Sequence, residues 1–439
     1  MFMIKFAVIS FPGTNCESES VRAFKRNGMD AEEILWNDPE ILNGNRLSEF
    51  SGYCIAGGFS YEDRSRSGII AAQNPIMDII KKEAEKGKIV LGICNGAQIL
   101  VETGLIPGFE NNDLAAALAW NEMIKDGEVV DTGFRNSWAY LKNVTPQNRS
   151  AFNDFTGLLH IPYAHGEGRF VFKDPEVLKA LKENNQILFQ YCDSKGNVSS
   201  DFPITPNGSS EAIAALCNPA GNVMAIMPHP ERDPNGNGNQ IFKSIKDWIE
   251  SGKSYSYKSL GQHSTKEDVR KYGETDLDFL VRLIIVDNAE RTVEYAFRKK
   301  KYDIRLKRYN YLAVKLAQGI DKKEAAIKII NSGELANLNK EWIYVRFNGK
   351  TYSYNKEKGL HEAELGLKNF IVACDLKDFI GESKKQAINL HAGNIAESIK
   401  NGIFWEVENT DDEGIYSIIR TKILYNPNSM YVLKDGRTF

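Results

Sequence analysis

Over the first 250 residues, short apolar runs alternate with stretches of helical periodicity. Ile4–Phe11 reads as a buried strand. It ends in the tight loop Phe11-Pro12-Gly13-Thr14-Asn15-Cys16, and a helix follows to about Arg26. Ala31–Trp36 and Gly52–Ala56 read as two more strands, the second stopping at Gly57-Gly58. Ile69–Lys86 has a helical pattern, Ile89–Ile93 reads as a strand, and a helix runs on through Val101. Strands alternating with helices predict a layered α/β domain with a mostly parallel sheet. In such sheets chemistry collects beyond the carboxyl ends of the strands. Those ends hold Phe11–Cys16, Gly57–Asp63 and Cys94, which should converge.

Further on, Phe109–Gly133 reads as a polar and helical insertion containing Asp113–Lys125. Ile161–Phe170 carries Ala164-His165-Gly166-Glu167-Gly168-Arg169, and Gln186–Cys192 reads as a strand. Pro206-Asn207-Gly208-Ser209 is a turn. The apolar run Val223–Met227 stops at Pro228-His229-Pro230-Glu231-Arg232, and a closing helix covers Ile241–Ile249. These features predict a first domain over 1–252, a polar linker over 253–276 and an α+β domain over 277–439. In the latter, Leu277–Asp287 reads as a strand and Asp321–Asn331 as a helix. Glu341–Phe347 and Lys350–Tyr354 form a hairpin about Asn348-Gly349. Phe370–Ala373 is apolar, Ser383–Lys400 reads as helical, and Ile415–Tyr425 with Tyr431–Leu433 read as edge strands. No internal repeat is visible in the sequence.

Composition narrows the class. Of 439 residues, 42% are hydrophobic, which is ordinary for a soluble globular chain. No apolar run approaches the roughly 20 residues that span a bilayer. Met1-Phe2-Met3-Ile4-Lys5-Phe6 lacks a signal-peptide layout. The six cysteines have no paired spacing, which argues against a disulfide framework or a zinc site and suits a reducing cytoplasm. Residues 1–250 carry 23 Lys+Arg against 32 Asp+Glu, whereas 251–439 carry 32 against 26. That shift supports two domains. The basic run Lys299-Lys300-Lys301 to Lys307-Arg308 reads as a solvated helix face or a protein-docking face rather than a nucleic-acid site.

Ile89-Val90-Leu91-Gly92-Ile93-Cys94-Asn95-Gly96-Ala97-Gln98 has the form of a nucleophile elbow. Its glycines remove side chains where the backbone must crowd, and Cys94 falls at the positive end of a helix. A buried cysteine in a strand-to-helix turn is the lesser reading of the stretch taken alone. A cysteine nucleophile needs a base, and the base an orienting acceptor. His229, bracketed by prolines, and Glu231 two residues later would point the same way in an extended segment. Alone, that motif is equally a rigid exposed turn. Acyl transfer also needs two oxyanion donors, for which the Asn95 N–H and the Gly57-Gly58 backbone are candidates. A tight βα turn would also explain the glycine pair.

Together these residues resemble class I, triad-type glutamine amidotransferases. More narrowly, residues 4–250 are similar to the glutaminase components of phosphoribosylformylglycinamidine synthases, which act in de novo purine synthesis. Gly57-Gly58-Phe59-Ser60-Tyr61 carries the resemblance too, and the narrow signals are Phe11-Pro12-Gly13-Thr14-Asn15-Cys16, His165-Gly166-Glu167-Gly168-Arg169 and Pro206-Asn207-Gly208-Ser209. The resemblance implies that Cys94 attacks the glutamine side-chain amide to form a thioester. It makes His229 the acid and base, and Glu231 its orienting partner. Gly57, Gly58 and Asn95 would form the oxyanion hole by backbone. Phe59, Ser60, Gln98, His165, Gly166 and Glu167 would contact glutamine. This chain would need no metal or cofactor of its own. ATP and magnesium would belong to a separate synthetase that receives the ammonia and converts formylglycinamide ribonucleotide to its amidine. Another acceptor, or a non-catalytic assembly subunit with the same fold, is the alternative.

The sequence departs from the family at Ala56, where proline is usual, and at Glu62, where glycine is usual before Asp63. Arg64-Ser65-Arg66 also replaces an apolar residue before Arg66. Residues 255–439 lie outside the resemblance. They are expected to dock the synthetase or to replace a small accessory subunit. Cys16 reads as packing or loop structure, His160, Cys54, Cys192 and Cys217 as core or loop residues, and His263, His361 and His391 share no ligand spacing.

Overall fold

Ile89, Val90, Leu91 and Ile93 are almost wholly removed from solvent because the strand they form lies inside a nine-stranded sheet. The computed structural model describes residues 3–44, 46–273, 275–365 and 369–434. The chain divides into two units, Met1–Thr265 and Lys266–Phe439. The first unit has β1 (Lys5–Ser10), β2 (Asp30–Leu35), β3 (Gly52–Ile55), β4 (Ile89–Ile93), β5 (Ala117–Ala119), β6 (Glu122–Lys125) and β7 (Glu128–Thr132). It continues with β8 (Arg135–Asn143), β9 (Leu158–His165), β10 (Arg169–Val171), β11 (Ile187–Cys192), β12 (Ile213–Cys217) and β13 (Val223–Ile226). Its helices are α1 (Glu17–Arg26), α2 (Pro39–Asn43), α3 (Ile69–Ala72), α4 (Pro75–Glu85), α5 (Asn95–Glu102), α6 (Pro175–Glu183) and α7 (Asn239–Glu250).

The sheet order is β2-β1-β3-β4-β13-β12-β11-β8-β9. The first five strands are mutually parallel, and β12, β11, β8 and β9 continue it antiparallel. The layered α/β reading therefore holds. The helix expected over 69–86 is two, because Asn74 caps a new start with Pro75 in the first turn. The insertion at 109–133 is not helical. Asp126 and Gly127 both have positive φ (52° and 83°), the condition for a tight hairpin turn, and β6 pairs with β7 across them.

The expected linker also divides differently. Glu110 N donates to Gly261 O at 2.9 Å, and Asp113 Oδ2 receives the Thr265 hydroxyl at 2.6 Å. His263 Nδ1 lies 2.9 Å from the same carboxylate. Residues to 265 thus belong to the first unit, while Glu274 lies outside the described residues.

The second unit comprises β14 (Val269–Lys271), β15 (Leu277–Leu283), α8 (Asn288–Lys299), β16 (Arg305–Leu316), α9 (Lys322–Asn331), β17 (Glu341–Phe347), β18 (Lys350–Asn355) and β19 (Gly359–Glu362). Then come β20 (Phe370–Asp375), α10 (Phe379–Ala392), β21 (Ala396–Glu408), α11 (Asp412–Arg420) and β22 (Met430–Lys434). Several expectations change here. Asp287 ends no strand but caps α8, its carboxylate accepting from Ala289 N at 2.8 Å. The basic run splits between the end of α8 and the start of β16, so it is not one helix face. The segment 383–400 breaks after α10 at Gly393 (φ 85°) and becomes β21. Ile415–Arg420 is helical because Asp411 caps α11 and its buried isoleucines fall at 415, 418 and 419, a helical spacing.

The unit also contains an internal duplication. The order β15-α8-β16-α9-β17 recurs as β20-α10-β21-α11-β22, about 90 residues later (Leu277 against Phe370, Glu341 against Met430). Its sheet runs β14-β22-β20-β21-β16-β15-β17-β18-β19. The two halves are therefore arranged in mirror order about β21 and β16, which pair antiparallel from Arg305↔Glu408 to Leu316↔Ala396. Antiparallel pairing of equivalent strands is what a two-fold axis produces. Because β22 lies between β14 and β20, it is not the edge strand expected for Tyr431–Leu433. Leu312 and Val314 pack with α9, while the alternate residues Tyr309 and Tyr311 join Phe370, Phe404 and Tyr431 on the other face. Among the described residues of either unit, no helix is long and apolar enough to cross a membrane.

Candidate active site

Cys94 takes φ 52° and ψ −107° between β4 and α5. A non-glycine residue holds such a conformation only when its surroundings impose it. They do so here. Cys94 N donates to Ile226 O at 2.8 Å, and the Ile55 carbonyl occupies the place where a Cβ on Gly96 would stand. The strained backbone turns Sγ toward Ala164 O, 3.6 Å away.

His229 follows β13, the parallel neighbour of β4, so both groups leave adjacent carboxyl ends. Its N–H donates to Pro162 O at 2.7 Å, and its Nδ1 lies 2.6 Å from Glu231 Oε1. The segment is not extended as expected, since a 3₁₀ turn starts at Pro230, yet the two side chains still meet. His229 and Glu231 are 2% and 1% exposed, which rules out the exposed-turn reading. Burial opposes the charge on His229, but the Glu231 carboxylate and the nearby Cys94 and Cys16 thiols hold its pKa well above the ordinary range.

Gly57 is where these groups converge. A Cβ there would stand 3.1 Å from Cys16 Sγ, 3.2 Å from His229 Cε1 and 3.4 Å from Cys94 Cβ. The Gly57 carbonyl receives the N–H groups of Asn15 (3.1 Å) and Cys16 (3.2 Å), while Phe59 N donates to Gly13 O at 2.9 Å. Gly58, at φ 143°, faces Thr14 between those bonds and uses neither its N–H nor its carbonyl in them. Any Cβ on Gly58 would meet Gly13 O and Asn15 N at 2.7 Å. Asn95 opens α5, where main-chain N–H groups lack helical acceptors. Among the described residues, the N–H groups of Gly58 and Asn95 are thus both available near Cys94.

Asn95 Oδ1 accepts from Ser60 N at 3.0 Å, and its Nδ2 donates to Gln98 Oε1 at 2.9 Å. Gln98 Nε2 donates in turn to Glu167 O at 2.7 Å, which ties the elbow helix to the 165–168 loop. Ser60 is buried and its hydroxyl has no partner among the described residues, while Phe59 is half exposed. The His165 ring is buried against Gly168, 3.2 Å from Asn121 Oδ1, and burial pushes its pKa down to about 3. It is therefore a neutral ring that shapes the loop, and Gly166 and Glu167 present the loop beside it.

Several residues of this site escaped sequence reasoning. Asn121, fully buried, receives Gly168 N at 2.9 Å and donates to His165 O at 2.7 Å. Asn207, quoted only within a turn motif, donates to Gly168 O at 2.8 Å. Arg66 holds Glu102 at the end of α5 through two bonds of 2.8 and 2.6 Å, which accounts for its place in the loop. Cys16, read as loop structure, accepts from Arg232 Nη2 at 3.0 Å. Among the described residues, Cys16, His229 and Glu231 form the one cluster with a metal-type donor set.

Loop 61–65 is strained. Tyr61, Glu62, Asp63 and Ser65 all have positive φ (53°, 57°, 53° and 71°). Asp63 is held near Asn95, whose Nδ2 lies 3.4 Å from its Oδ1, and burial raises its pKa to about 6. The Glu62 side chain, where the resemblance implies glycine, is exposed and pairs with Arg64 at 2.9 Å. Glu62→Gly is therefore expected to stabilise the protein by about 0.5 kcal/mol, since relief of left-handed strain outweighs the added chain entropy. Urea unfolding of the two proteins measures it.

A thiol on a strand-to-helix elbow, beside a buried His–Glu pair from the next parallel strand, defines a thiol-dependent acyl-transfer enzyme. Residues 3–257 match the CobB/CobQ-like glutamine amidotransferase domain, and the chain belongs to that family. It is similar to the phosphoribosylformylglycinamidine synthase subunit PurQ of Methanothrix thermoacetophila, with 43% identity over 268 residues, 57% of this chain and all of that protein. The PurQ subunit of Pyrococcus furiosus is 38% identical over 255 residues, again 57% of this chain and all of the relative. Among solved structures, PurLQS from Thermotoga maritima matches at 32% identity and TM-score 0.43, covering 56% of this chain and all of that one. The family match stops at residue 257, before the second unit.

Proposed function

We propose that this chain is the glutaminase of a phosphoribosylformylglycinamidine synthase. The observation that carries the reading is the buried His229–Glu231 pair beside the Cys94 elbow, in a chain that is similar to PurQ subunits over the whole length of those proteins. Cys94 Sγ attacks the side-chain carbonyl carbon of glutamine with the thiol's proton already held on His229 Nε2. The N–H groups of Gly58 and Asn95 receive the developing oxyanion. His229 then returns the proton to the departing nitrogen, and ammonia leaves behind a thioester. In the second half, His229 removes a proton from water, which attacks the thioester and releases glutamate and the thiol. Glu231 holds the ring tautomer and stabilises its charged form. Ser60, Gln98 and the backbone at Gly166 and Glu167 hold the amino-acid end of glutamine, with Phe59 at the rim. Ammonia passes to an ATP- and magnesium-dependent synthetase, which forms the amidine of formylglycinamide ribonucleotide.

The reading is tested by ammonia release from the full chain, alone and with synthetase, nucleotide and ATP. A rise on mixing is expected. No release in an assembled complex would leave an assembly subunit as the function.

For the second unit we propose the role of a small accessory subunit, supplied here in covalent form. The duplicated five-element halves about β16 and β21 support this, since they have the layout of two copies of one small protein. The expected result is glutamine-dependent synthesis from two proteins, this chain and the synthetase. A requirement for a third, separately added small subunit would overturn it.

A further inference from the structure

His263 lies beyond residue 257, outside the part of the chain that matches the family, yet both its ring nitrogens are held on the first unit. Nδ1 is 2.9 Å from Asp113 Oδ2, and Nε2 is 3.3 Å from Asp174 Oδ2. The Phe109 ring lies against the imidazole, with centroids 4.8 Å apart. Thr265 strengthens the same grip, its N–H donating to Asp113 Oδ2 at 2.7 Å. Asp174 uses its other oxygen to cap α6, accepting from Glu176 N at 2.9 Å, which fixes the carboxylate although its side chain is half exposed.

The two carboxylates stand at one end of a short ribbon. β5 pairs antiparallel with β10, from Ala117↔Val171 to Ala119↔Arg169. Asp113 precedes the first of these pairs in the chain, and Asp174 follows it. At the other end Ala119 leads to Asn121, and Arg169 follows the 165–168 loop. There Asn121 N donates to Gly166 O at 2.8 Å, and Gly168 N donates to Asn121 Oδ1 at 2.9 Å. A two-stranded pairing this short is marginal without outside support. The path from Asp113 to Asn121 runs through Ala115, Ala116 and Ala117, each no more than 1% exposed, so packed surroundings pass a displacement along it rather than absorb it.

We propose that His263 is a positioning residue for glutamine. By joining Asp113 to Asp174 it holds the β5–β10 ribbon closed, and the closed ribbon keeps Gly166 and Glu167 where they meet the amino-acid end of the substrate. Removing the ring leaves two carboxylates facing one gap, and their repulsion opens the ribbon. The effect on turnover rests on the glutaminase reading, but the effect on the loop does not.

Three measurements on the full chain test it. First, His263→Ala should raise KM for glutamine about fivefold with kcat within about twofold of the parent. His263→Gln, whose amide can still donate to one carboxylate, should recover most of that loss. A merely structural ring would cost folded protein, lowering apparent kcat at unchanged KM, and that result overturns the proposal. Second, the amides of Asn121 and Gly168 should exchange hydrogen about tenfold faster in His263→Ala, while those of β1 keep the parent rate. Unchanged exchange at the loop, or equal acceleration throughout the first unit, also overturns it. Third, coupling between two sites is reciprocal. Saturating glutamine should therefore slow exchange of the Thr265 amide in the Cys94→Ala chain, which keeps His263 and cannot turn the substrate over. No slowing, with glutamine shown to bind, counts against the proposal even if both His263 variants fail to fold. Absence of glutamine turnover by the unaltered chain under any condition would sink the glutaminase reading, and exchange at Asn121 and Gly168 would then decide the brace on the loop by itself.

Discussion

Cys94→Ala is expected to lower glutamine-dependent synthesis by about 10⁴-fold or more while ammonia-dependent synthesis by the complex continues. The size follows from the loss of the nucleophile itself. With no sulfur at the elbow no thioester forms, and the oxyanion donors at Gly58 and Asn95 have no adduct to stabilise. Alanine keeps the Cβ that packs beside Gly57 and removes one buried atom, so the sheet and the elbow should survive. Rates with glutamine and with ammonium chloride, measured on the same reconstituted complex, separate the two steps. Loss of both would mean that the synthetase depends on this cysteine, contrary to the division of labour proposed. Cys16 also borders His229, but it stands at a helix start rather than on the strained elbow, so it should not rescue the variant.

Glu231→Gln should lower kcat by about 10²- to 10⁴-fold with little change in shape. The carboxylate fixes the proton on His229 Nδ1 and leaves Nε2 free to face the thiol. An amide can present N–H₂ to Nδ1 instead, which favours the wrong tautomer. The same change alters how stability depends on pH. In the parent, burial works against the charged ring, and the Glu231 carboxylate and the two thiols outweigh it, so the folded pKa lies well above 6.5. That contribution is present in full below the unfolded value and is lost as pH rises through the folded one. In the variant burial wins, the folded pKa falls below the unfolded value, and stability declines as pH drops through about 6.5. Urea midpoints from pH 5.5 to pH 9 should therefore diverge on the acid side. Parallel curves would mean that Glu231 does not hold the charge on His229.

What could be read from the sequence was local. The elbow shows because its glycines, cysteine and apolar strand are consecutive, and His229 and Glu231 show because they are two residues apart. The loop that faces them is organised by Asn121, 44 positions before His165, and by Asn207, 39 positions after Gly168, and a lone asparagine gives no signal. The hairpin of β6 and β7 was hidden by the alanine-rich approach to it, although Asp126-Gly127 is a turn signal. In the second unit, isoleucines at helical spacing in α11 passed for a strand. The duplication was illegible because its halves share order and length but little residue pattern. α8 buries Val293, Glu294, Ala296 and Phe297, whereas α10 buries little more than Ile388.

Joining those halves in one chain changes how they respond to dilution. Two separate subunits meet at a rate set by their concentration and part when it falls. Here β16 and β21 are tethered, so their pairing is as available in a single molecule as in a crowded solution. The halves also appear once each. β18 and β19 extend one flank, and β14 closes the other. A homodimer offers every surface twice; this chain can keep one surface for one purpose and let its counterpart drift to another.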